Sequence, residues 1–184
     1  MTRWAVECDY FHDRHLMISV NISVDHFRRD LYEDLRSILD AEQFDPKLLE
    51  IEITEGTLLK SASEVVKMLN MISDLGIHIS IDDFGTGYSS LQYLKNFHLD
   101  TIKIDRAFVR DIYTDPHNIL IVESIISIAK RMNLMLVAEG VESYEEVRHL
   151  VALGCDVFQG YYYSKPLPAS EIPNFLNTFK GTAE

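Results

Sequence analysis

Residues Ile79 to Leu91 read I-S-I-D-D-F-G-T-G-Y-S-S-L, and the fold follows from how this stretch is read. It begins as a strand: Ile77, Ile79 and Ile81 fall on one side, His78, Ser80 and Asp82 on the other. The strand runs into two adjacent carboxylates, Asp82 and Asp83. A loop with Gly85 and Gly87 follows, then Ser89 and Ser90, which suit the start of a helix. Two neighbouring carboxylates repel unless a cation or a proton relieves them. In α/β proteins the chemistry sits beyond the carboxyl ends of the strands, so this acidic strand end is a candidate site.

The same alternation recurs on both sides of it. Upstream, Leu49–Thr54 sets Ile51 and Ile53 against Glu50 and Glu52, and Leu16–Ser23 sets Ile18, Val20 and Ile22 against Ser19, Asn21 and Ser23. Downstream, Thr101–Asp105, Met135–Glu139 and Asp156–Gln159 read as further strands. Between them the 3.6-residue period predicts helices over Asp25–Ala41, Ser61–Leu75 (stopped by Gly76), His117–Met132 (after Pro116) and Tyr144–Leu153. A short helix is expected from Ser90, a last one over Ala169–Phe179, and a helix end at Arg3–Phe11.

Strand followed by helix, about six times over, implies a parallel sheet with helices outside. An open doubly wound sheet and a (β/α) barrel both satisfy that order. A doubly wound sheet buries both faces under helices and wants both parities apolar. Here one parity is apolar and the other carries Ser, Thr, His and ionisable residues, which favours the barrel, whose second parity faces the interior. The expected class is therefore α/β, a modified TIM (β/α) barrel that is incomplete, with about six of eight strands.

Followed to the strand ends, the polar parity gives Asn21, Glu52, Asp82, Lys103, Glu139 and Gln159, with Asp83 one residue past its strand. Each ends a different strand, so all are expected on one rim. Asn21, Glu52, Asp82 and Asp83 are hard oxygen donors suited to Mg²⁺ or Mn²⁺. The Asp pair suits two cations, as in two-metal phosphoester hydrolysis. Lys103 would balance the acidic ligands and position a water, Glu139 would join the metal sphere or accept a proton, and Gln159 would hold a ligand. Taken singly, each residue has an ordinary explanation: a strand-end Asp or Glu as a helix cap, Lys103 as a structural counter-ion, Gly85 and Gly87 as turn residues. Six strands delivering polar groups to one end outweigh these readings.

Composition narrows the partners. The 184 residues fit one domain, and 47% hydrophobic with 25% charged residues describes a globular chain. A net charge of −12 argues against a nucleic-acid polymer as partner, though metal ions can reverse the field locally for a small anionic substrate. No apolar run reaches the roughly 18 residues of a membrane helix, and Met1-Thr2-Arg3-Trp4 does not start a signal peptide, so a cytoplasmic location is expected. Cys8 and Cys155 form no metal-type or redox pair, and His12 and His15 have no further ligands near them in sequence. Asn21-Ile22-Ser23 matches a glycosylation sequon inside a strand, and Tyr161–Tyr163 read as packing and rim residues.

The motifs S-V-N-I-S, E-I-T-E, D-D-F-G-T-G-Y-S-S-L, I-K-I-D, A-E-G-V-E and Q-G-Y-Y-Y-S-K-P stand in that order from Ser19 towards the C-terminal helix. In this the chain resembles the EAL-type cyclic di-GMP phosphodiesterases of bacterial signalling. The resemblance implies a modified TIM barrel that hydrolyses cyclic di-GMP to linear pGpG with Mg²⁺ or Mn²⁺. It implies that Asn21, Glu52, Asp82 and Asp83 are metal ligands and Glu139 a further metal-site carboxylate, sometimes proposed as the base. Lys103 would contact the nucleophilic water, with Gln159 nearby. Glu55 would anchor the loop after Asp83, with homodimerisation expected through the Gly85–Ser90 region. Asp105 and Glu142 match further acidic positions near the site.

One departure accompanies the match. The Glu-Ala-Leu segment that gives the family its name is absent from residues 1–184, which are expected to form the C-terminal three quarters of the domain, with the first strands before Met1 and regulatory domains in a longer parent. Its glutamate is a metal ligand in the family. The alternative expectation is therefore a catalytically inactive cyclic di-GMP receptor or protein-interaction module.

Overall fold

A computed structural model describes residues 16–23, 26–27, 30–60, 62–87, 94 and 98–179. The chain divides into two compact units, Met1–Ile102 and Lys103–Glu184. The expected helix end at Arg3–Phe11, the two histidines His12 and His15, and the short helix from Ser90 lie outside the described residues.

In the first unit, β1 (Ile18–Asn21), β2 (Leu49–Thr54) and β3 (His78–Phe84) pair in parallel. The register sets Ser19 opposite Glu50 and Asn21 opposite Glu52, then Glu50 opposite His78 and Glu52 opposite Ser80. Between β1 and β2 lies α1 (Leu31–Glu42), which ends on Gln43 in the left-handed conformation. After β2 come α2 (Glu55–Lys60) and α3 (Ala62–Asp74). The apolar parity packs as expected: Ile51, Ile53, Ile79 and Ile81 are fully buried, with Leu69 and Ile72 of α3 fully buried as well. Each such side chain contributes about 1.5–3 kcal/mol relative to exposure. β1 differs, since Ile18 is buried but Val20 is exposed.

The second unit begins within β4 (Thr101–Ile104) and continues through α4 (Arg106–Val109), α5 (Pro116–Met132), β5 (Met135–Glu139), α6 (Tyr144–Leu153), β6 (Val157–Gln159) and α7 (Ile172–Thr178). Strands β5 and β6 pair in parallel, with Glu139 opposite Gln159. Pro116 occupies the first turn of α5, where its missing N–H costs nothing, and Asp115 caps that helix by accepting from His117 N–H at 2.8 Å. Helix α6 starts on a full capping box between Ser143 and Glu146 and stops at Gly154, whose φ of 95° favours glycine. Its core joins Val122, Ile125, Ile126 and Ala129 of α5 with Ala138, Val147, Leu150 and Cys155.

On β2, β3 and β4 much of the polar parity is buried too, the burial pattern of a barrel interior, while Ser19, Asn21 and Gln159 are exposed. Glu50, Glu52, Ser80, Thr101 and Lys103 are all 5% exposed or less. The strand before the acidic pair also runs further than the alternation predicts. β3 extends through Asp83 to Phe84, whose ring is buried at 3% exposure.

Candidate active site

At the end of the first unit's strands, the register sets Asn21 of β1 beside Glu52 of β2. The Asn21 amide Nδ2 donates to Glu52 Oε2 at 3.0 Å, and Glu52 is 5% exposed. This orientation turns the amide nitrogen to the carboxylate and leaves the amide oxygen as a donor atom for a cation. Asp82 and Asp83 follow on β3, both half-buried. Asp82 Oδ1 accepts the N–H of Asp83 at 2.9 Å, and Asp83 itself adopts a φ of 55°, a left-handed conformation that Asp tolerates better than most residues. That left-handed residue precedes the turn at Gly85.

The loop after Asp83 is tied to the start of α2. Glu55 is 6% exposed, and its Oε2 accepts the N–H groups of Gly85 and Gly87, each at 3.3 Å. A Cβ on Gly87 would stand 3.1 Å from the Glu55 carboxyl carbon, so only glycine approaches this closely without displacing it. Glu55 thus accepts hydrogen bonds from two amides of the loop that follows Asp83. Tyr88–Ser90, the rest of the expected dimer-facing segment, lie outside the described residues.

In the second unit, Lys103 Nζ donates to Glu139 Oε1 at 2.7 Å, and the lysine side chain is 4% exposed. A hydrogen bond between an ammonium and a carboxylate is charge-assisted and correspondingly short. Beyond Glu139, Gly140 has a φ of 70° and lies so close to Arg106 that a Cβ would overlap the arginine's own Cβ. Glu142 is exposed, and its backbone N–H is held by Glu146 Oε2 at 2.7 Å, which also accepts from Ser143 N–H at 3.0 Å. Glu146, 7% exposed, therefore fixes the loop that carries Glu142. The Ser143-x-x-Glu146 spacing is the sequence signal that identifies this residue.

Asp105 caps α4, accepting from Ala107 N–H at 2.7 Å, and so serves the fold directly. Gln159 is exposed, and its carbonyl accepts from Val141 N–H at 3.1 Å. Gly160 follows, so close to the Val141 backbone that any Cβ would overlap its N and O atoms. A cavity of about 500 Å³ is lined by Arg106, Ala107, Arg110, Gly140, Glu142 and Glu146. Among the described residues, no three or more His, Cys, Asp or Glu side chains gather as a metal-binding group. The donors that the sequence singles out include the amide of Asn21, and all are hard oxygens, the chemistry that suits Mg²⁺ or Mn²⁺.

With this geometry in view, comparison with known proteins is direct. The EAL domain model matches residues 1–166, and the chain belongs to the EAL domain family. It is 36% identical over 170 residues to the cyclic di-GMP phosphodiesterase NbdA of Pseudomonas aeruginosa, covering 92% of this chain and 22% of that protein. The solved structure of the PaMucR phosphodiesterase in complex with c-di-GMP superposes with a TM-score of 0.87 at 36% identity, over 93% of this chain and 70% of that one. A manganese and cyclic di-GMP complex of Klebsiella pneumoniae BlrP1 gives a TM-score of 0.81 at 30% identity, over 90% of this chain and 42% of that one. The fold is thus α/β, an incomplete (β/α) barrel of the EAL type. The chain spans 20–30% of the length of the curated relatives it matches. Among the described residues no helix is long and apolar enough to cross a membrane.

Proposed function

We propose that this chain carries out the metal-dependent hydrolysis of cyclic di-GMP to pGpG. The observation that carries the reading is a pair of side-chain contacts at the strand ends of an EAL-family chain: Asn21 with Glu52, and Lys103 with Glu139. The first is a ligand-type pair of hard oxygen donors; the second is a carboxylate held 2.7 Å from a buried ammonium.

In this proposal Asn21, Glu52, Asp82, Asp83 and Glu139 hold two Mg²⁺ or Mn²⁺ ions. The bound ions would supply Lewis-acid polarisation of the phosphate and a water acidic enough to ionise near neutral pH. The chain's own residues do the rest. Glu139 accepts the proton of the attacking water, and Lys103 keeps Glu139 oriented and contacts that water. The water oxygen bonds to phosphorus, the P–O3′ bond breaks, and the leaving 3′ oxygen takes up a proton, which yields the 5′-phosphate of pGpG. Glu55 holds the Gly85–Gly87 loop beside the Asp pair, and Gln159, Asp105 and Glu142 support substrate or loop positions.

The test is to incubate the protein with cyclic di-GMP and Mn²⁺ or Mg²⁺ and to follow pGpG by chromatography. Asp82→Asn is expected to lower kcat by about 100-fold, the scale on which loss of a group that stabilises transition-state charge is felt. Metal-dependent turnover retained in that variant contradicts the ligand assignment. Binding of cyclic di-GMP without any product makes the chain a receptor.

A further inference from the structure

We propose that Ser19 and Glu50 are positioning residues for Asn21 and Glu52: their hydrogen bond sets the register of β1 that places the Asn21 amide on Glu52. The inference rests on the metal-ligand reading of Asn21 and Glu52 proposed above.

Strand β1 is four residues long, and of its side chains only Ile18 is buried; Val20 on the same parity is 37% exposed. Register is strongly specified where one face is buried and weakly where it is not. A parallel backbone ladder repeats every two residues, so it re-forms after a slip of two with the same facing. Such a slip would move Asn21 from Glu52 to Glu50, or to Thr54. Backbone pairing and apolar burial therefore do little to protect the position of Asn21.

The side chains on the polar face do protect it. They form two rungs, Ser19 Oγ to Glu50 Oε2 at 2.7 Å and Asn21 Nδ2 to Glu52 Oε2 at 3.0 Å. Both join residues directly opposite in the register. The first is a short hydroxyl–carboxylate bond, among the stronger kinds of neutral–charged hydrogen bond. Glu50 is 3% exposed and, among the described residues, its second oxygen, Oε1, has no hydrogen-bond partner, so its burial is costly. A buried carboxylate with one oxygen on a β1 serine and the other unpartnered is poorly explained by packing alone. It is explained by a requirement for an acceptor at that height, one rung below the ligand pair.

The experiment compares Ser19→Ala, Glu50→Gln and Glu50→Ala with the parent and with Asn21→Ala. Mn²⁺ affinity is read by electron paramagnetic resonance, and exchange of the Ile22 N–H, which donates to Glu52 O at 2.9 Å, by NMR without metal. Ser19→Ala and Glu50→Ala are expected to weaken Mn²⁺ binding by about 10-fold, the lower end of the effect of outer ligand-orienting groups. Ile22 exchange should rise in both. Glu50→Gln, which keeps an oxygen acceptor for Ser19, should stay within about threefold of the parent in Mn²⁺ affinity. Ser19→Ala deletes one hydroxyl from an exposed position and tests the idea even where Glu50→Ala fails to fold. Parent-like Mn²⁺ affinity and Ile22 exchange in Ser19→Ala, with binding lost in Asn21→Ala, would overturn the rung and leave the ligand assignment standing. Absence of Mn²⁺ binding in the parent would overturn both.

Discussion

Lys103 Nζ lies 2.7 Å from Glu139 Oε1, and the two side chains are only 4% and 17% exposed. Removing one partner of such a pair takes from the other, buried charge the opposite charge it lies 2.7 Å from. Lys103→Met or Glu139→Leu is therefore expected to destabilise the fold by about 3–5 kcal/mol in a denaturant melt. Lys103→Met/Glu139→Leu together should recover most of that loss while remaining inactive. A double variant as unstable as the sum of the single ones would show that the two groups do not act as a pair.

Glu55 gives the second prediction. One carboxylate oxygen serves two loop amides, Gly85 and Gly87, over bonds of 3.3 Å. Glu55→Ala should raise the exchange rates of both amides by about 10-fold, the worth of a hydrogen bond to a charged acceptor. Amide exchange followed by NMR reads both sites independently of turnover. Unchanged protection at both glycines would show that the loop is held by other contacts.

Much of this arrangement is legible in the sequence, and the reasons for the exceptions are local. The alternation of Ile51 and Ile53 with Glu50 and Glu52 marks the limits of β2, and the strand Met135–Glu139 and helix Tyr144–Leu153 match residue for residue. Helix α2 carries no comparable signal because E-G-T-L-L-K is short and contains Gly56, so it has no periodic stripe. The expected helix over Ala169–Phe179 is a 3₁₀ turn, Ala169–Glu171, followed by α7, because Pro173 is tolerated only in the first turn of an α-helix. In β1 the alternation indicates a strand but not that Val20 remains exposed. Alternation reports which side a residue faces, and burial depends on what covers that side. The candidate site divides in the same way. The sequence locates the carboxylates and, through the Ser143-x-x-Glu146 spacing, the glutamate that holds the Glu142 loop, while the bond between Ser19 and Glu50 emerges only from distances.

Cys155 supplies a pH prediction. The thiol is fully buried, and that burial pushes its pKa up to about 11 from 9.0. A group with a raised folded-state pKa contributes stability that is fully present below the unfolded value and lost as pH rises towards the folded one. Stability should thus decline between pH 9 and pH 11 by about 2–3 kcal/mol through this group. In Cys155→Ala that component of the slope should vanish, as urea melts across the range would show. The native thiol should also resist alkylation at pH 8, because thiolate is the reactive species and little is present.

Gly160→Ala is expected to be among the least tolerated single-methyl additions. The added carbon would overlap backbone atoms of Val141, which cannot rotate aside as a side chain can. A loss of about 3 kcal/mol, at the upper end of the overpacking range, is expected in thermal or denaturant unfolding. Parent-like stability would mean that the two backbones separate at little cost.

That contact also governs where the polypeptide can be cut and rejoined. Val141 N–H donates to Gln159 O and Val141 O accepts from Tyr162 N–H, so two segments eighteen or more positions apart are stitched at a single residue. Fragments divided between Val141 and Gly160 would each carry half of the stitch, and reassembly would have to rebuild it without a tether. The turn at Asp111–Thr114 makes only local backbone bonds among the described residues, with Ile112 fully buried and the Tyr113 ring 5.8 Å from that of His149. A fluorescent-protein insertion between the exposed Tyr113 and Thr114 would leave the stitch intact, which makes that bond the practical entry point for a biosensor built on this chain.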